Sequence, residues 1–210
     1  MSQAAPGSDL QLQFARIFVM IANSQEQTVR IRELLDGKLE GLLVDVDLRW
    51  TFIKFLAEQN AITIEEIDAE LARDNTFSGN LSHKAALAEI PTIENKQAVW
   101  NEVLGDELAT EVRKAKIMGF GSYRQRELLE GFVDKYFEIL LDVWGKQSYE
   151  VGETIVEGLY PSFISKQSTV DKSDAWLSGP GKNAPETLRR LVAEGRDGLV
   201  RALRVQAIDN

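Results

Sequence analysis

The sequence offers few side chains that could carry out catalysis. Its 210 residues include one histidine, His83, and no cysteine. Zinc hydrolases hold their ion with several imidazole or thiolate ligands, so a zinc site here would have to combine His83 with carboxylates alone. A Ser-His-Asp triad would need the same histidine, and no Gly-x-Ser-x-Gly motif is present. We therefore predict no catalytic residue, metal site or cofactor site in this chain.

Two glycine-rich segments could in principle bind phosphate, at residues 119–122 (GFGS) and 179–182 (GPGK). Neither follows a predicted strand, and neither has the spacing of a P-loop or of a dinucleotide-binding turn. We interpret both segments as turns.

Arginines are the remaining candidates for recognition. Arg124 and Arg126 precede a long apolar stripe, and five more arginines lie between residues 189 and 204. The planar guanidinium fork suits carboxylates, such as the C-terminus of a peptide. The alternative is that these arginines form salt bridges with the many acidic residues of the chain.

Charge and hydropathy limit the partners and the location. The net charge is −9 and the pI is about 4.8, so the surface should repel nucleic acids and anionic membranes. No apolar run reaches the roughly 18 residues of a membrane span, and residues 1–9 lack the pattern of a signal peptide. We expect a soluble, cytoplasmic protein without nucleic-acid or membrane partners.

Helical periodicity recurs along almost the whole chain. Leu10, Phe14, Ile17 and Ile21 fall on one face of a first helix, and Thr63–Glu66 has the form of a capping box. Residues 128–144 carry a double apolar stripe that predicts one long inner helix. About ten or eleven helices result, with residues 38–44 as a connector between two of them.

The fold class predicted from this pattern is all-α. We expect a single helical-repeat domain over residues 1–210, built from stacked antiparallel helical hairpins in a HEAT-like or armadillo-like superhelical array. A closed helical bundle is the alternative architecture.

Several stretches resemble the C-terminal helical domain of the aminopeptidase N family of zinc metallopeptidases, particularly its bacterial branch. They are PGSDLQLQ at residues 6–13, VDLRW at 46–50, AELARDNT at 69–76, ELL at 127–129, GLYPS at 158–162, LRRLV at 188–192 and EGRD at 194–197. Their order and spacing cover nearly the whole chain.

The resemblance implies a C-terminal fragment of a larger aminopeptidase that caps the catalytic chamber and limits peptide access. In that family an upstream catalytic domain binds zinc through His-Glu-x-x-His and grips the substrate's amino terminus through Gly-x-Met-Glu-Asn. Neither motif occurs here, because His83 is followed by Lys84, Ala85 and Ala86. The implied partners are the upstream domain and a peptide, the implied cofactor is zinc in the parent enzyme, and the fragment itself should be inactive.

Two further expectations accompany this resemblance. The first three residues, MSQ, followed at once by family-like sequence, suggest a truncated product. Arg49, Arg124 and Arg126 are the candidates to face the chamber and meet the peptide's carboxylate. The alternative function is a stand-alone helical-repeat scaffold that binds proteins along a concave face.

Overall fold

The computed structural model describes residues 4–208, and the first three residues discussed above lie outside this range. The helices are α1 Asp9–Ile21, α2 Gln25–Leu35, α3 Val46–Glu58, α4 Ile64–Arg73, α5 Phe77–Glu89, α6 Ile93–Leu104, α7 Thr110–Phe120, α8 Arg126–Leu129, α9 Phe132–Lys146, α10 Tyr149–Gly158, α11 Gln167–Ser178 and α12 Glu186–Gln206, with a short 3₁₀ turn at Tyr123–Gln125 before α8.

The all-α prediction is confirmed, since residues 4–208 contain helices and turns but no strand. Residues 38–44 form an irregular connector as expected. None of the described helices combines the length and apolarity needed to cross a membrane. The HEAT-like arrangement of the hairpins stays a prediction.

The chain divides into two compact units, Met1–Lys96 and Gln97–Asn210, and the boundary falls within α6. In the first unit α3 packs against α2 and α5, and α4 packs against α5. In the second, α10 packs against α7, α9 and α12, while α11 packs against α12. The prediction of one domain over residues 1–210 stays a prediction.

Each unit has its own apolar core. In the first, α3 is the central element, because Leu48, Phe52, Ile53 and Leu56 are all at most 1% exposed. In the second, the rings of Trp100, Phe120 and Phe132 cluster with centroids 5.1 to 5.8 Å apart. Such offset and edge-on ring contacts add stability beyond the apolar area they bury.

Local signals place the helix starts. The predicted capping box is present: Glu66 N donates to Thr63 Oγ1 at 3.3 Å, and Thr63 N donates to Glu66 Oε2 at 2.9 Å. Thr92 caps α6 as expected, accepting from Asn95 N at 3.2 Å. These bonds satisfy backbone donors that the first helical turn leaves unpaired.

Two details of the sequence prediction are wrong. The double stripe at 128–144 is not one helix, because α8 ends at Leu129 and α9 begins at Phe132 after a turn that contains Gly131, a residue that weakens helices. The GFGS segment is also only partly a turn. Gly119 and Phe120 belong to α7, and the helix ends at Gly121. The GPGK segment is a turn, as predicted.

Lys96 is fully buried in the first unit, and its ammonium donates to Ala88 O at 2.8 Å. Burial lowers the pKa of Lys96 to about 8, although the carboxylates of Glu89 and Glu58 oppose this shift. In the unfolded chain the lysine has its ordinary pKa of about 10.4. The unfolded state therefore binds the proton more tightly, and stability must rise with pH through this interval.

We expect the titration of Lys96 to raise the free energy of unfolding by about 2 kcal/mol between pH 8 and pH 10. This value follows from the difference in proton binding between the folded and unfolded states. Urea unfolding followed by circular dichroism measures this rise. Lys96→Met serves as the reference, because the two proteins share every other titrating group. The contribution of Lys96 is the difference between their curves of unfolding free energy against pH. Parallel curves for the two proteins over this interval would contradict the assignment.

Candidate functional site

The stretches that carry the family resemblance make specific contacts between helices. VDLRW lies on α3 and AELARDNT runs along α4, and the two are joined by paired side chains. Arg49 Nε donates to Glu70 Oε1 at 2.8 Å, and Arg49 Nη2 donates to Glu70 Oε2 at 2.6 Å. The indole Nε1 of Trp50 donates to Asp74 Oδ2 at 2.8 Å. We call these two pairs the α3–α4 clasp.

The clasp is buried and continues into the next turn. Glu70 is 4% exposed and Trp50 is 3% exposed. Asp74 also accepts from Thr76 Oγ1 at 2.9 Å, and Thr76 accepts from Gly79 N at 2.9 Å to cap α5. Hydrogen bonding to Glu70 raises the pKa of the Arg49 guanidinium, so Arg49 stays charged at any ordinary pH.

The PGSDLQLQ stretch fixes the path of the chain into α1. The Gln11 side chain is 2% exposed and has two partners. It accepts from Gly7 N at 2.9 Å and donates to Glu40 O at 2.9 Å. Gly7 and Gly41 have φ of +75° and +79°, a conformation that favours glycine, and a Cβ on Gly41 would lie 2.6 Å from Pro6 Cα.

Two stretches in the second unit, GLYPS and EGRD, also meet each other and contact α11. Tyr160 of GLYPS hydrogen-bonds Ser173 at 2.8 Å, and burial raises the pKa of Tyr160 to about 12. Gly195 of EGRD packs on the Tyr160 ring so closely that an added Cβ would lie 2.7 Å from it. Arg196 of the same stretch binds Asp174 through two bonds of 2.9 and 3.1 Å.

Two of the five arginines of α12 pair with acidic residues, as the salt-bridge alternative predicts: Arg190 with Glu194 at 2.9 Å, and Arg196 with Asp174. Arg189 instead donates to Leu177 O at 2.9 Å and to Gly181 O at 2.5 Å, at the end of α11. The bonds of Arg189 and Arg196 join α12 to α11 and to the loop after it.

The three arginines proposed from sequence have different environments. Arg49 lies in the first unit, and its fork is occupied by Glu70. Arg124 and Arg126 lie in the second unit, two residues apart, and both are exposed. The structure therefore brings two of the three together.

Arg126 lines a groove of about 490 Å³. Tyr123 and Phe163 form part of its wall, with their rings edge to face and centroids 4.8 Å apart. Lys166 also lines the groove and is paired with Glu130. The groove thus combines an aromatic wall with two cationic side chains, Arg126 and Lys166, and two carboxylates, Glu127 and Glu130.

The single histidine is paired with one carboxylate. His83 Nε2 lies 2.6 Å from Asp68 Oδ1, and its other ring nitrogen, Nδ1, is buried without a hydrogen-bond partner. Throughout residues 4–208, no three side chains of the His, Cys, Asp and Glu types gather closely enough to hold a metal ion. His83 serves to join α5 to α4.

The described residues thus form an all-helical fold in which the family-like stretches make internal contacts. Residues 2–201 match the family model of the ERAP1-like C-terminal domain, and the chain belongs to that family. It is 44% identical to aminopeptidase N from Streptomyces lividans over 209 residues. That match covers 98% of this chain and 24% of the relative, so the chain spans about a quarter of the relative's length.

These findings confirm the resemblance derived from the sequence. The chain is the C-terminal domain of an aminopeptidase N-like protein. The stretches that carry the resemblance make packing and turn contacts whose partners the sequence did not reveal. Arg113 was missed altogether: it is 1% exposed, and its guanidinium donates to the carbonyls of Val103, Gly105 and Leu108.

Proposed function

We propose that this domain forms part of the wall of the substrate chamber in a zinc-dependent aminopeptidase and limits the access of peptides. The parent protein would release N-terminal amino acids from peptides, with the chemistry in a catalytic domain upstream. Zinc belongs to that upstream domain in the proposal, since residues 4–208 here gather no set of metal ligands. We also expect the parent enzyme to be cytoplasmic.

The α3–α4 clasp is the observation that best supports a wall. Two charged or polar pairs bind α3 to α4 beneath the surface, where a purely apolar contact would have sufficed for packing. Buried pairs of this kind fix one arrangement of the helices, since any shift leaves a charge without its partner. A rigid wall suits a chamber whose size selects its substrates.

The isolated chain should hydrolyse no aminoacyl substrate and should contain no stoichiometric zinc. The protein made from the complete reading frame should have zinc-dependent aminopeptidase activity. Aminoacyl-anilide turnover and metal analysis on both proteins measure this. Zinc-dependent turnover by the isolated chain would overturn the proposal, as would a complete reading frame without His-Glu-x-x-His.

We further propose that Arg124 or Arg126 meets the C-terminal carboxylate of the peptide in the chamber. Both are exposed on one short segment, and Arg126 lies beside the aromatic wall of its groove. The same role was predicted for Arg49, where a peptide carboxylate would have to compete with Glu70.

Replacing the responsible arginine with glutamine in the complete enzyme should lower kcat/KM about tenfold or more on peptides with a free C-terminus, because a charge-assisted bond contributes roughly 1.5–3 kcal/mol. On the same peptides with an amidated C-terminus the loss should be small. Arg190→Gln is the matched control, since Arg190 is exposed and pairs with Glu194. Arg49→Gln is measured alongside. Equal losses on both kinds of peptide would contradict the role.

A further inference from the structure

Helix α1 has a second apolar face that points away from its own unit. Leu10, Phe14, Ile17 and Ile21 are 54%, 39%, 49% and 64% exposed, and they recur at spacings of four, three and four residues. At 100° per residue these four side chains fall within a sector of about 60°. Met20 lies beside them and is 75% exposed. We call these five residues the α1 stripe.

The stripe cannot turn inward, because the opposite face of α1 is already fixed. Ala15 and Val19 are 0% and 6% exposed in the core, and Gln11 is held by its bonds to Gly7 N and Glu40 O. A soluble chain rarely exposes a continuous apolar surface of this kind unless another surface covers it. Of the other exposed positions on α1, Asp9 and Arg16 lie outside this sector, whereas Gln13 falls between Ile17 and Met20.

We propose that the α1 stripe is the docking surface for an apolar patch on the domain that precedes this one in the same polypeptide. The inference rests on the proposed function. About three-quarters of the relative lies outside the match, and the family is that of a C-terminal domain, so in such a protein the rest of the polypeptide precedes the residues that correspond to α1.

The geometry at the start of α1 favours this occupant over a free partner. Ser8 caps the helix and Gln11 ties Gly7 to the connector at Glu40, so the chain arrives at α1 along a fixed path. A domain attached there is held beside the stripe, and this raises its effective concentration relative to any untethered protein. A helix face with apolar residues at every turn suits a continuous apolar contact with a neighbouring domain.

Methionine oxidation provides the test. Met20 lies at the edge of the stripe, and Met118 on α7 has nearly the same exposure, 73%. In the isolated 210-residue chain, dilute hydrogen peroxide should oxidise both at similar rates. In the protein from the complete reading frame, Met20 should be oxidised at least fivefold more slowly than in the isolated chain. Added N-acetylmethionine is the internal standard for both rates.

Variants of the complete protein complete the test. Ile17→Asp should restore rapid oxidation of Met20, whereas Arg16→Gln, which changes the net charge by the same amount on the polar side of α1, should not. An unchanged Met20 rate in a complete protein that retains aminopeptidase activity would overturn the docking site and leave the proposed function standing. If Met20 in the isolated chain becomes protected from oxidation as the chain forms a concentration-dependent dimer, the stripe binds a second copy of the chain. That result would overturn the inference. A complete protein without peptidase activity would count against the proposed function itself.

Discussion

Glu70→Ala should lower the free energy of unfolding by about 3–4 kcal/mol, the range found when one partner of a buried ion pair is removed. Glu70 is 4% exposed, and both its oxygens accept from Arg49, whose side chain is 18% exposed. The substitution leaves the guanidinium largely buried without its carboxylate. Urea unfolding followed by circular dichroism at neutral pH measures the change.

Two comparisons isolate the pair. Glu65→Ala removes an exposed carboxylate from the first turn of the same helix and should change stability little. Arg49→Met combined with Glu70→Ala should be less destabilised than Glu70→Ala alone, because no unpaired charge remains. If Glu70→Ala and Glu65→Ala lower the free energy of unfolding equally, the Arg49–Glu70 pair does not have the stabilising role assigned to it.

Arg113→Met should lower the free energy of unfolding by about 3 kcal/mol, since it removes the donor from one buried and two partly buried carbonyl oxygens, and a buried acceptor left unpaired costs roughly 1–3 kcal/mol. The Arg113 guanidinium donates to Val103 O, to Gly105 O at 2.9 Å and to Leu108 O at 3.3 Å. These carbonyls lie at the end of α6 and in the loop that follows. Burial lowers the pKa of Arg113, yet an arginine keeps its charge at neutral pH and its favourable interaction with a helix C-terminus.

The neighbouring Lys114 supplies the control, because it is exposed and pairs only locally with Glu111 at 2.8 Å. Lys114→Met should leave the thermal unfolding midpoint almost unchanged. Arg113→Lys should recover part of the loss, since an ammonium can reach one carbonyl but cannot span three. A midpoint for Arg113→Met equal to that of wild type would show that water replaces the guanidinium in this loop.

The sequence predicted the helices well because their signals are local. The capping box at Thr63 and the cap at Thr92 involve residues within one turn, so their geometry follows from spacing alone. The turn between α8 and α9 escaped prediction, because a continuous apolar stripe outweighed one glycine. The stripe of α1 was assigned to one face correctly, but periodicity cannot tell whether a face meets its own core or another surface.

The contacts within the candidate site could not be predicted to the same extent. Arg49 and Glu70 are 21 residues apart, and Trp50 and Asp74 are 24 apart, on helices whose crossing the sequence does not specify. Either charge could equally have met solvent or an external peptide. Resemblance to a family identified both stretches as structural, and only the packed helices show that each supplies the partner of the other.

Four pairs of helices adjacent in sequence pack against each other: α2 with α3, α4 with α5, α9 with α10 and α11 with α12. Contacts between α3 and α5 and between α10 and α12 span one further helix. Local contacts form quickly, because closing a short loop costs little entropy. A ribosome adds only about 5–20 residues per second, so each of the four hairpins can form as soon as its second helix emerges. The apolar side chains between the paired helices are therefore exposed only briefly during synthesis, which limits aggregation.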